Sequence, residues 1–270
     1  MKNEKKELQE EICYRLMIDD PHFIEIESKK RVLSGQAIDL KKYLKKCKKT
    51  EHTKSTFFFD QYLDTPEMDL FRLGASLRLR YKRNGTKAYL QYKGPGYIEN
   101  GLLYRSEFST ERLRHLSKEE SSHDFVHFSK ASFKQIMAKH IHRKMLKAMR
   151  RQLGSKILNK TFISPFICLY QKDKFVVDLG SAFLEPSVDR VYAFHINRTG
   201  PHPLSTFYEY ENEIKAPHKS FLSKMEHIPD LLEFDSKVID RFNLKEERLD
   251  KYHRCASIFM PREKVRITVF

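Results

Sequence analysis

The sequence predicts an α+β fold in which a closed antiparallel β-barrel forms a tunnel, with helices outside it. Eight segments alternate charged residues with apolar or neutral ones, and the charges of each segment fall on one parity. Asn84-Gly85 marks a tight hairpin between two of these segments. Polar segments with helical patterning lie at both ends of the chain and in its middle. Because successive side chains of a strand point to opposite faces, each strand has one charged face.

The first elements are predicted to be a helix, a strand and a second helix. Apolar residues at helical spacing place the first helix at 3–18. The strand at 22–32 has the clearest alternation of charge, and a short basic helix follows at 37–47. The charged face of this strand contains Glu25, Glu27, Lys29 and Arg31.

The next region is predicted to contain four strands and one short helix. A strand at 54–64 ends in a turn, and Gly74 ends the brief helix that follows it. Two strands joined by Asn84-Gly85 come next, then a loop at 94–101 and a further strand at 102–110. The charged or polar faces of these last three strands contain Arg78, Arg80, Lys82, Lys87, Gln91, Lys93, Arg105 and Glu107.

The second half begins with a polar, helical segment at 112–155, which we interpret as an insertion packed outside the barrel. No internal repeat or linker is visible, so residues 1–270 are predicted to form one domain that includes this insertion. The remaining strands are predicted at 161–170 and 173–180, joined by a turn at 171–173, and then at 190–197 and 205–215, with helices at 217–231 and 236–251.

The charged faces carry matched acidic and basic residues, which is unusual for a sheet face exposed to water. We therefore expect these faces to point inward and to line a wet tunnel that binds a polyanion through bridging metal ions. The formal net charge of +15 agrees with an anionic partner. The four cysteines form no CxxC pair, which favours a reducing cytosol over a disulfide scaffold or a structural zinc site.

The chain is expected to be cytoplasmic and to lack a transmembrane segment. Its N-terminus, MKNEKKELQEE, is too charged for a signal peptide. No apolar run approaches the roughly 18 residues that a membrane-spanning helix needs.

Several motifs, in order, resemble those of the triphosphate tunnel metalloenzymes, which include the CYTH proteins and the VTC polyphosphate-polymerase domains. Glu25-Ile26-Glu27-Ser28-Lys29 resembles the ExExK signature of that superfamily. Three further segments resemble its following strands: YLDTPEMDLFRLGASLRLRYKR, LQYKGP, and Tyr104-Arg105-Ser106-Glu107. The resemblance covers about residues 22–215 and implies a tunnel-shaped barrel.

The C-terminal half resembles the superfamily less closely. Residues 175–178 resemble its aspartate-bearing strand, and residues 208–215 resemble its final acidic strand. Glu213-Ile214-Lys215 and the late Asp250-Lys251-Tyr252 lean toward the VTC branch. The family's arginine before the aspartate is missing from TFISPFICLY. Three lysines could replace it: Lys160, Lys172 and Lys174.

The resemblance, together with the chemistry of phosphates, implies three sets of site residues. Arginine and lysine bind phosphate oxygens, whereas Mg²⁺ or Mn²⁺ is held by carboxylates. The substrate-binding candidates are Lys29, Arg31, Arg78, Arg80, Lys93, Arg105, Lys174 and Lys215. The metal-binding candidates are Glu25, Glu27, Glu107, Asp178, Glu211 and Glu213. The catalytic candidates are Glu27, Lys29, Glu211 and Glu213.

The leading functional hypothesis is a metal-dependent triphosphatase that acts on inorganic tripolyphosphate or an organic triphosphate. Three alternatives remain: a polyphosphate polymerase of the VTC type, an adenylate cyclase of the CYTH type, and a non-catalytic module that binds polyphosphate or nucleotides. The expected ligand is a triphosphate or polyphosphate. Nucleic acid is not expected as a partner, because the glutamates would repel it.

Overall fold

The computed structural model describes residues 2–47, 49–82, 88–110, 141–195 and 204–259. The strands are β1 (Ile24–Val32), β2 (Glu51–Leu63), β3 (Ser76–Lys82), β4 (Ala88–Glu99), β5 (Leu102–Ser109), β6 (Phe166–Asp178), β7 (Phe183–His195), β8 (Ser205–Lys215) and β9 (Lys245–Glu246). The helices are α1 (Lys2–Arg15), α2 (Ser34–Lys46), α3 (Asp69–Arg72), α4 (Arg143–Leu153), α5 (Ser155–Leu158), α6 (Phe221–Glu226), α7 (Ile228–Phe242) and α8 (Lys251–Phe259). Short 3-10 turns lie at Pro21–Phe23 and Pro217–Lys219.

Eight strands close into a ring in the order β1, β5, β4, β3, β2, β6, β7 and β8, and β8 pairs with β1 again. All neighbours in the ring are antiparallel. The two-residue strand β9 pairs only with the end of β1 among the described strands. The predicted α+β class and the closed antiparallel sheet are therefore confirmed.

The register places the charged faces of neighbouring strands side by side. Residues directly opposite each other in an antiparallel pair share one face of the sheet. The pairs along β1 are Glu25 with Arg105, Glu27 with Glu213, and Lys29 with Glu211. The charged parity that was predicted for each strand thus continues from strand to strand around the interior of the ring.

The apolar parity of the strands faces outward and is covered by helices. α1 and α4 contribute to the largest buried cluster, with Ile12 and Met149 among its members. α2 and α7 cover β6, β7 and β8, and Leu40, Val238 and Phe175 belong to the buried cluster that forms there. This outer layer supplies the hydrophobic core that an interior lined by charges cannot supply.

α8 occupies one end of the ring. Tyr252 and Cys255 of this helix pack against Phe166 and Cys168, which belong to the inward-facing parity of β6. The rings of Tyr252 and Phe166 are stacked with centroids 5.6 Å apart. α8 therefore brings the residues at its start into the interior of the ring.

The prediction of a turn at 171–173 is wrong, because β6 is one strand through this segment. It pairs with β2 on one side and with β7 on the other without interruption there. The polar residues belong to both faces of this strand: Lys172 lines the interior, whereas Asp173 forms an ion pair with Lys41 on the outside. A polar run in the middle of such a strand does not indicate a turn.

The predicted loop at 94–101 is mostly strand. β4 continues into a tight hairpin with β5, and the turn is made by Asn100 and Gly101 with φ angles of 51° and 77°. The register shifts between Lys93 and Gly96, which is a β-bulge. Gly94 and Gly96 permit the bulge, and they do not end the strand.

The helical insertion predicted at 112–155 can be compared with the structure only from residue 141 onward. Its earlier part and the Asn84-Gly85 turn lie outside the described residues. α4 is helical as predicted, and it packs on the outside of the ring, where Met145 and Met149 are fully buried.

The C-terminal helices begin and end at different residues from those predicted. The segment predicted as one helix at 217–231 is divided between a 3-10 turn, α6 and the start of α7. α7 ends where Asn243 adopts a left-handed conformation, with φ 47°, and α8 begins only at Lys251. No helix in the described part of the chain is long and apolar enough to cross a membrane.

Candidate active site

The interior of the ring contains a cavity of about 200 Å³ that is lined almost entirely by charged and polar side chains. Nine are basic: Lys29, Arg78, Arg80, Lys93, Arg105, Lys172, Lys174, Lys215 and Lys251. Seven are acidic: Glu25, Glu27, Glu107, Glu185, Glu211, Glu213 and Asp250. The others are Phe58, Tyr62, Ser76, Gln91 and Tyr170.

Two arginines of β3 share one buried carboxylate. Arg78 Nη1 lies 2.9 Å from Asp60 Oδ2, and Arg80 Nε lies 2.9 Å from Asp60 Oδ1. Arg80 also donates to the hydroxyl of Tyr170, while Arg78 Nε donates to Gln91 at 3.1 Å. Burial alone would raise the pKa of Asp60, but the two guanidinium groups lower it. This corner of the cavity has two fixed cations and one anion, so it favours a further anion.

A second group is centred on Arg105 of β5. Its guanidinium donates to Glu25 at 2.7 Å, to Glu27 at 2.6 Å and to Asp250 at 2.9 Å. Lys93 also donates to both oxygens of Glu25 at 2.8 Å. Burial opposes ionisation of Glu25, but Lys93 and Arg105 hold its pKa well below the usual value. Glu25 is therefore ionised at neutral pH.

Three carboxylates from three strands converge beside this group. Glu25 of β1, Glu107 of β5 and Glu213 of β8 each offer an oxygen within 4.8 Å of the other two. Burial raises the pKa of Glu213 to about 7, and the charges of Glu25 and Glu107 add to this rise against the opposing effect of Lys215. The positive charge of Lys215 therefore does not fully offset burial and the negative charges around Glu213.

These three carboxylates suit a divalent metal ion. Mg²⁺ and Mn²⁺ prefer oxygen ligands, and one or two carboxylates with water and substrate oxygens complete their coordination. The raised pKa of Glu213 agrees with a group of like charges that a cation would neutralise. The donor set and its electrostatics therefore fit such an ion.

A second group of three carboxylates lies between β7 and β8. Asp189, Glu209 and Glu211 each offer an oxygen within 4.8 Å of the other two, and all three are buried. Lys251 of α8 forms ion pairs with each of them. Lys172 also donates to Glu211 at 2.8 Å. This group is already neutralised by side chains.

Twelve of the fourteen predicted site residues line the cavity together. They are Glu25, Glu27, Lys29, Arg78, Arg80, Lys93, Arg105, Glu107, Lys174, Glu211, Glu213 and Lys215. Arg31 and Asp178 do not line it, although each has the predicted parity. The Arg31 side chain is 58% exposed at the end of β1 and pairs with Glu247, and Asp178 accepts a hydrogen bond from Gly180 N in the turn after β6. The parity of a residue shows which face of the strand its side chain is on, but it does not show whether the residue lies at the level of the cavity or at the end of the ring.

The position of the missing arginine on β6 is taken by lysines. Lys172 and Lys174 both point into the cavity, where they contact Glu211 and Glu185. Lys160 instead lies on the surface beside Glu67 and Asp69. Two of the three possible substitutes are therefore correctly placed to contribute positive charge.

Several cavity residues were not predicted. Glu185 lines the cavity, while the fully buried Asp60 and Asp189 lie behind it and pair with the lining residues Arg78 and Lys251. All three follow the inward parity of their strands, so the alternation could have indicated them. Asp250 and Lys251 come from the start of α8, and only the fold brings them to the cavity.

Comparison with known proteins supports the architecture. The profile of the CYTH domain matches residues 24–158, half of the chain. Among solved structures, a Hippeastrum protein proposed as an adenylyl cyclase and described with a dominant triphosphatase activity is 20% identical, with a TM-score of 0.54 over 86% of this chain and 95% of that one. At this identity the likeness shows a shared fold.

Two further solved structures are similar at lower scores. A Bacillus halodurans protein proposed as an adenylate cyclase is 17% identical, with a TM-score of 0.49, over 85% of this chain and 96% of that one. A Pyrococcus horikoshii protein is 16% identical, with a TM-score of 0.49, over 86% of this chain and 98% of that one. No curated protein sequence matches the chain significantly. The VTC-like character of the C-terminal half stays a prediction.

Proposed function

Because this chain belongs to the CYTH domain family, we propose that it is a divalent-metal-dependent triphosphatase whose substrate, inorganic tripolyphosphate or an organic triphosphate, binds inside the ring. The observation that carries this proposal is the division of the cavity. Arg78 and Arg80 lie at one corner with a shared carboxylate. Glu25, Glu107 and Glu213 form a group that suits a metal ion. A triphosphate needs both: cations for its oxygens, and a metal ion to stabilise the charge of phosphoryl transfer.

The arginines are proposed to bind non-bridging phosphate oxygens. A guanidinium can donate two parallel hydrogen bonds to a phosphate, and Asp60 already holds both arginines in place. Preorganised donors lose little entropy when the substrate arrives. Arg78 and Arg80 are therefore expected to provide much of the affinity.

The lysines are proposed to exchange partners when the substrate binds. Lys93 pairs with Glu25, and Lys215 pairs with Glu213. A divalent ion held by those carboxylates would polarise the terminal phosphate and stabilise the charge that develops on it. Lys93 and Lys215, no longer needed to neutralise carboxylates, can then donate to phosphate oxygens.

Glu27 and Glu213 are proposed to orient the attacking water and to accept its proton. They lie opposite each other on β1 and β8. Glu211 and Lys29 are assigned a supporting role, because Glu211 holds Lys172 and Lys251 and lies 3.1 Å from Lys29.

A phosphate-release assay tests this function. The purified protein would be given tripolyphosphate, long-chain polyphosphate or ATP, with Mg²⁺, Mn²⁺ or a chelator. We expect phosphate release from tripolyphosphate or ATP that requires the metal ion and disappears in Glu213→Gln. The matched control is Glu226→Gln, which removes a surface carboxylate that pairs with Lys5. Formation of cyclic AMP or of polyphosphate without phosphate release would instead favour the cyclase or the polymerase.

A further inference from the structure

The carboxylates of Asp189, Glu209 and Glu211 form a group with the composition of a metal site. Asp189 lies opposite Glu209 in the pairing of β7 with β8, and Glu211 follows on the same face of β8. One oxygen from each lies within 4.8 Å of the others. Asp189 and Glu209 are completely buried. Three carboxylates this close together in a buried setting need a positive charge among them.

That positive charge is an ammonium group from α8. Lys251 Nζ lies 2.8 Å from Asp189 Oδ2 and 2.8 Å from Glu211 Oε1, and it contacts Glu209 Oε1. The lysine is itself buried, and although burial alone would lower its pKa, the three carboxylates hold that pKa well above the usual value. The side chain is therefore a permanent cation at the point where the three acidic groups meet.

Glu209 depends on α8 for its neutralisation. Its ion-pair partners among the described residues are Lys251 and Arg254, and both belong to this helix. Asp189 and Glu211 also contact Lys172 of β6, at 3.4 Å and 2.8 Å. Removal of Lys251 would leave Glu209 with only a distant guanidinium, 3.8 Å away.

The anchoring of α8 makes this cation a fixed part of the site. Tyr252, the next residue, donates to the buried carboxylate of Asp64. On the other side of Lys251, Asp250 accepts hydrogen bonds from Arg105 and from the backbone of His253. These contacts fix the backbone on both sides of Lys251 and so place its side chain beside the acidic group.

We propose that Lys251 is a built-in cation that fills an acidic site formed by Asp189, Glu209 and Glu211, so that the ring binds one exchangeable divalent ion instead of two. The exchangeable ion is the one assigned to Glu25, Glu107 and Glu213, and in that respect the inference rests on the proposed function. Lys93 and Lys215, the cations of that other group, belong to the ring wall, and the Lys215 side chain is 35% exposed. Because Lys251 belongs to α8, the position of this helix leaves only the group of Glu25, Glu107 and Glu213 open to a metal ion.

Mn²⁺ binding, measured by calorimetry and by electron paramagnetic resonance of the free ion, tests this proposal without reference to activity. The full chain should bind one Mn²⁺. Lys251→Gln, which removes the charge but keeps much of the side chain, should bind two. Lys251→Arg keeps the charge and should still bind one. In Lys251→Gln combined with Glu213→Gln, one Mn²⁺ should remain, at the newly opened site.

A second variant keeps the test decisive if Lys251→Gln does not fold, as judged by circular dichroism. Glu209→Gln in the otherwise unchanged chain should leave Mn²⁺ stoichiometry and affinity within about twofold of the parent, whereas Glu213→Gln should abolish binding. Two Mn²⁺ ions on the unchanged chain, loss of binding in Glu209→Gln, or one ion on folded Lys251→Gln would overturn the proposal. No Mn²⁺ on the unchanged chain but one on Lys251→Gln would support this inference and contradict the metal site of the proposed function.

Discussion

Arg80 forms a two-point ion pair with Asp60, with Nε 2.9 Å from one carboxylate oxygen and Nη2 3.0 Å from the other. The same carboxylate accepts from Arg78, so one buried acid on β2 positions two bases on β3. This arrangement makes Asp60 a positioning residue for the proposed phosphate-binding corner. The stability of the folded protein should therefore depend on whether the positive charges of Arg78 and Arg80 are neutralised by a carboxylate or by a bound anion.

We predict that Asp60→Asn destabilises the free protein and that tripolyphosphate restores part of the loss. The change leaves the buried guanidinium of Arg78 and the partly buried guanidinium of Arg80 without their carboxylate, and breaking a buried ion pair costs about 3–5 kcal/mol. Urea denaturation with and without tripolyphosphate measures both quantities. Asp173→Asn is the matched control, because its partner Lys41 lies on the outside of the ring and is partly exposed. A loss in Asp60→Asn no larger than that in the control would contradict the assignment.

We predict that Arg78→Ala and Arg80→Ala each weaken tripolyphosphate binding by about ten- to a hundredfold, because a hydrogen bond to a charged group contributes roughly 1.5–3 kcal/mol. Each single variant leaves the other arginine to neutralise Asp60, so the fold should survive. Thermal shift with tripolyphosphate compares the three proteins, since a ligand stabilises the state that binds it. Arg150→Ala, on the outer helix α4, is the control. Equal shifts in all variants would place the anion elsewhere.

Glu213→Gln is predicted to lower metal-dependent turnover by about a hundredfold or more, because a ligand charge at the reacting phosphate is lost. Its secondary structure should be unchanged. The rate of phosphate release at saturating Mg²⁺ or Mn²⁺ measures the effect. Turnover close to that of the parent protein would reject Glu213 as a ligand or base.

The pH dependence of stability follows from the same residue. The pKa of Glu213 is raised from 4.5 to about 7 in the folded state, so the folded protein binds its proton more tightly than the unfolded chain does. Its contribution to the free energy of unfolding is therefore favourable below pH 4.5 and is lost as pH rises to about 7. In metal-free buffer, Glu213→Gln should equal the parent at low pH and exceed it in stability at pH 8. Mn²⁺ should reduce that difference. A variant less stable than the metal-free parent at pH 8 would contradict this.

Much of the site follows from alternation along the strands. The parity of Glu25, Glu27 and Lys29 is a local property, because strand side chains alternate whatever surrounds them, and the register then aligns charged faces across the ring. Arg31 has the same parity but lies beyond the cavity. The height of a residue along the ring depends on where its strand begins, and that depends on distant partners.

Two other features of the site could be recognised only from the three-dimensional structure. The segment around Lys172 is polar on both faces, since one face lines a charged cavity and the other meets Lys41 of α2, so its polarity resembled a turn. Lys251 is separated by 40 residues from Glu211, its hydrogen-bond acceptor. Nothing in the residues near Lys251 indicates a contact with β8, because that contact arises only when α8 enters the end of the ring.

The most direct test of the central claim is a crystal structure of the protein grown with tripolyphosphate and Mn²⁺. We expect the tripolyphosphate inside the ring, with its oxygens in contact with Arg78 and Arg80. Mn²⁺ should lie between the substrate and the carboxylates of Glu25, Glu107 and Glu213. An anion bound only to the outer surface, with no metal ion at those three carboxylates, would contradict the claim that the interior of the ring is the site of a metal-dependent triphosphatase.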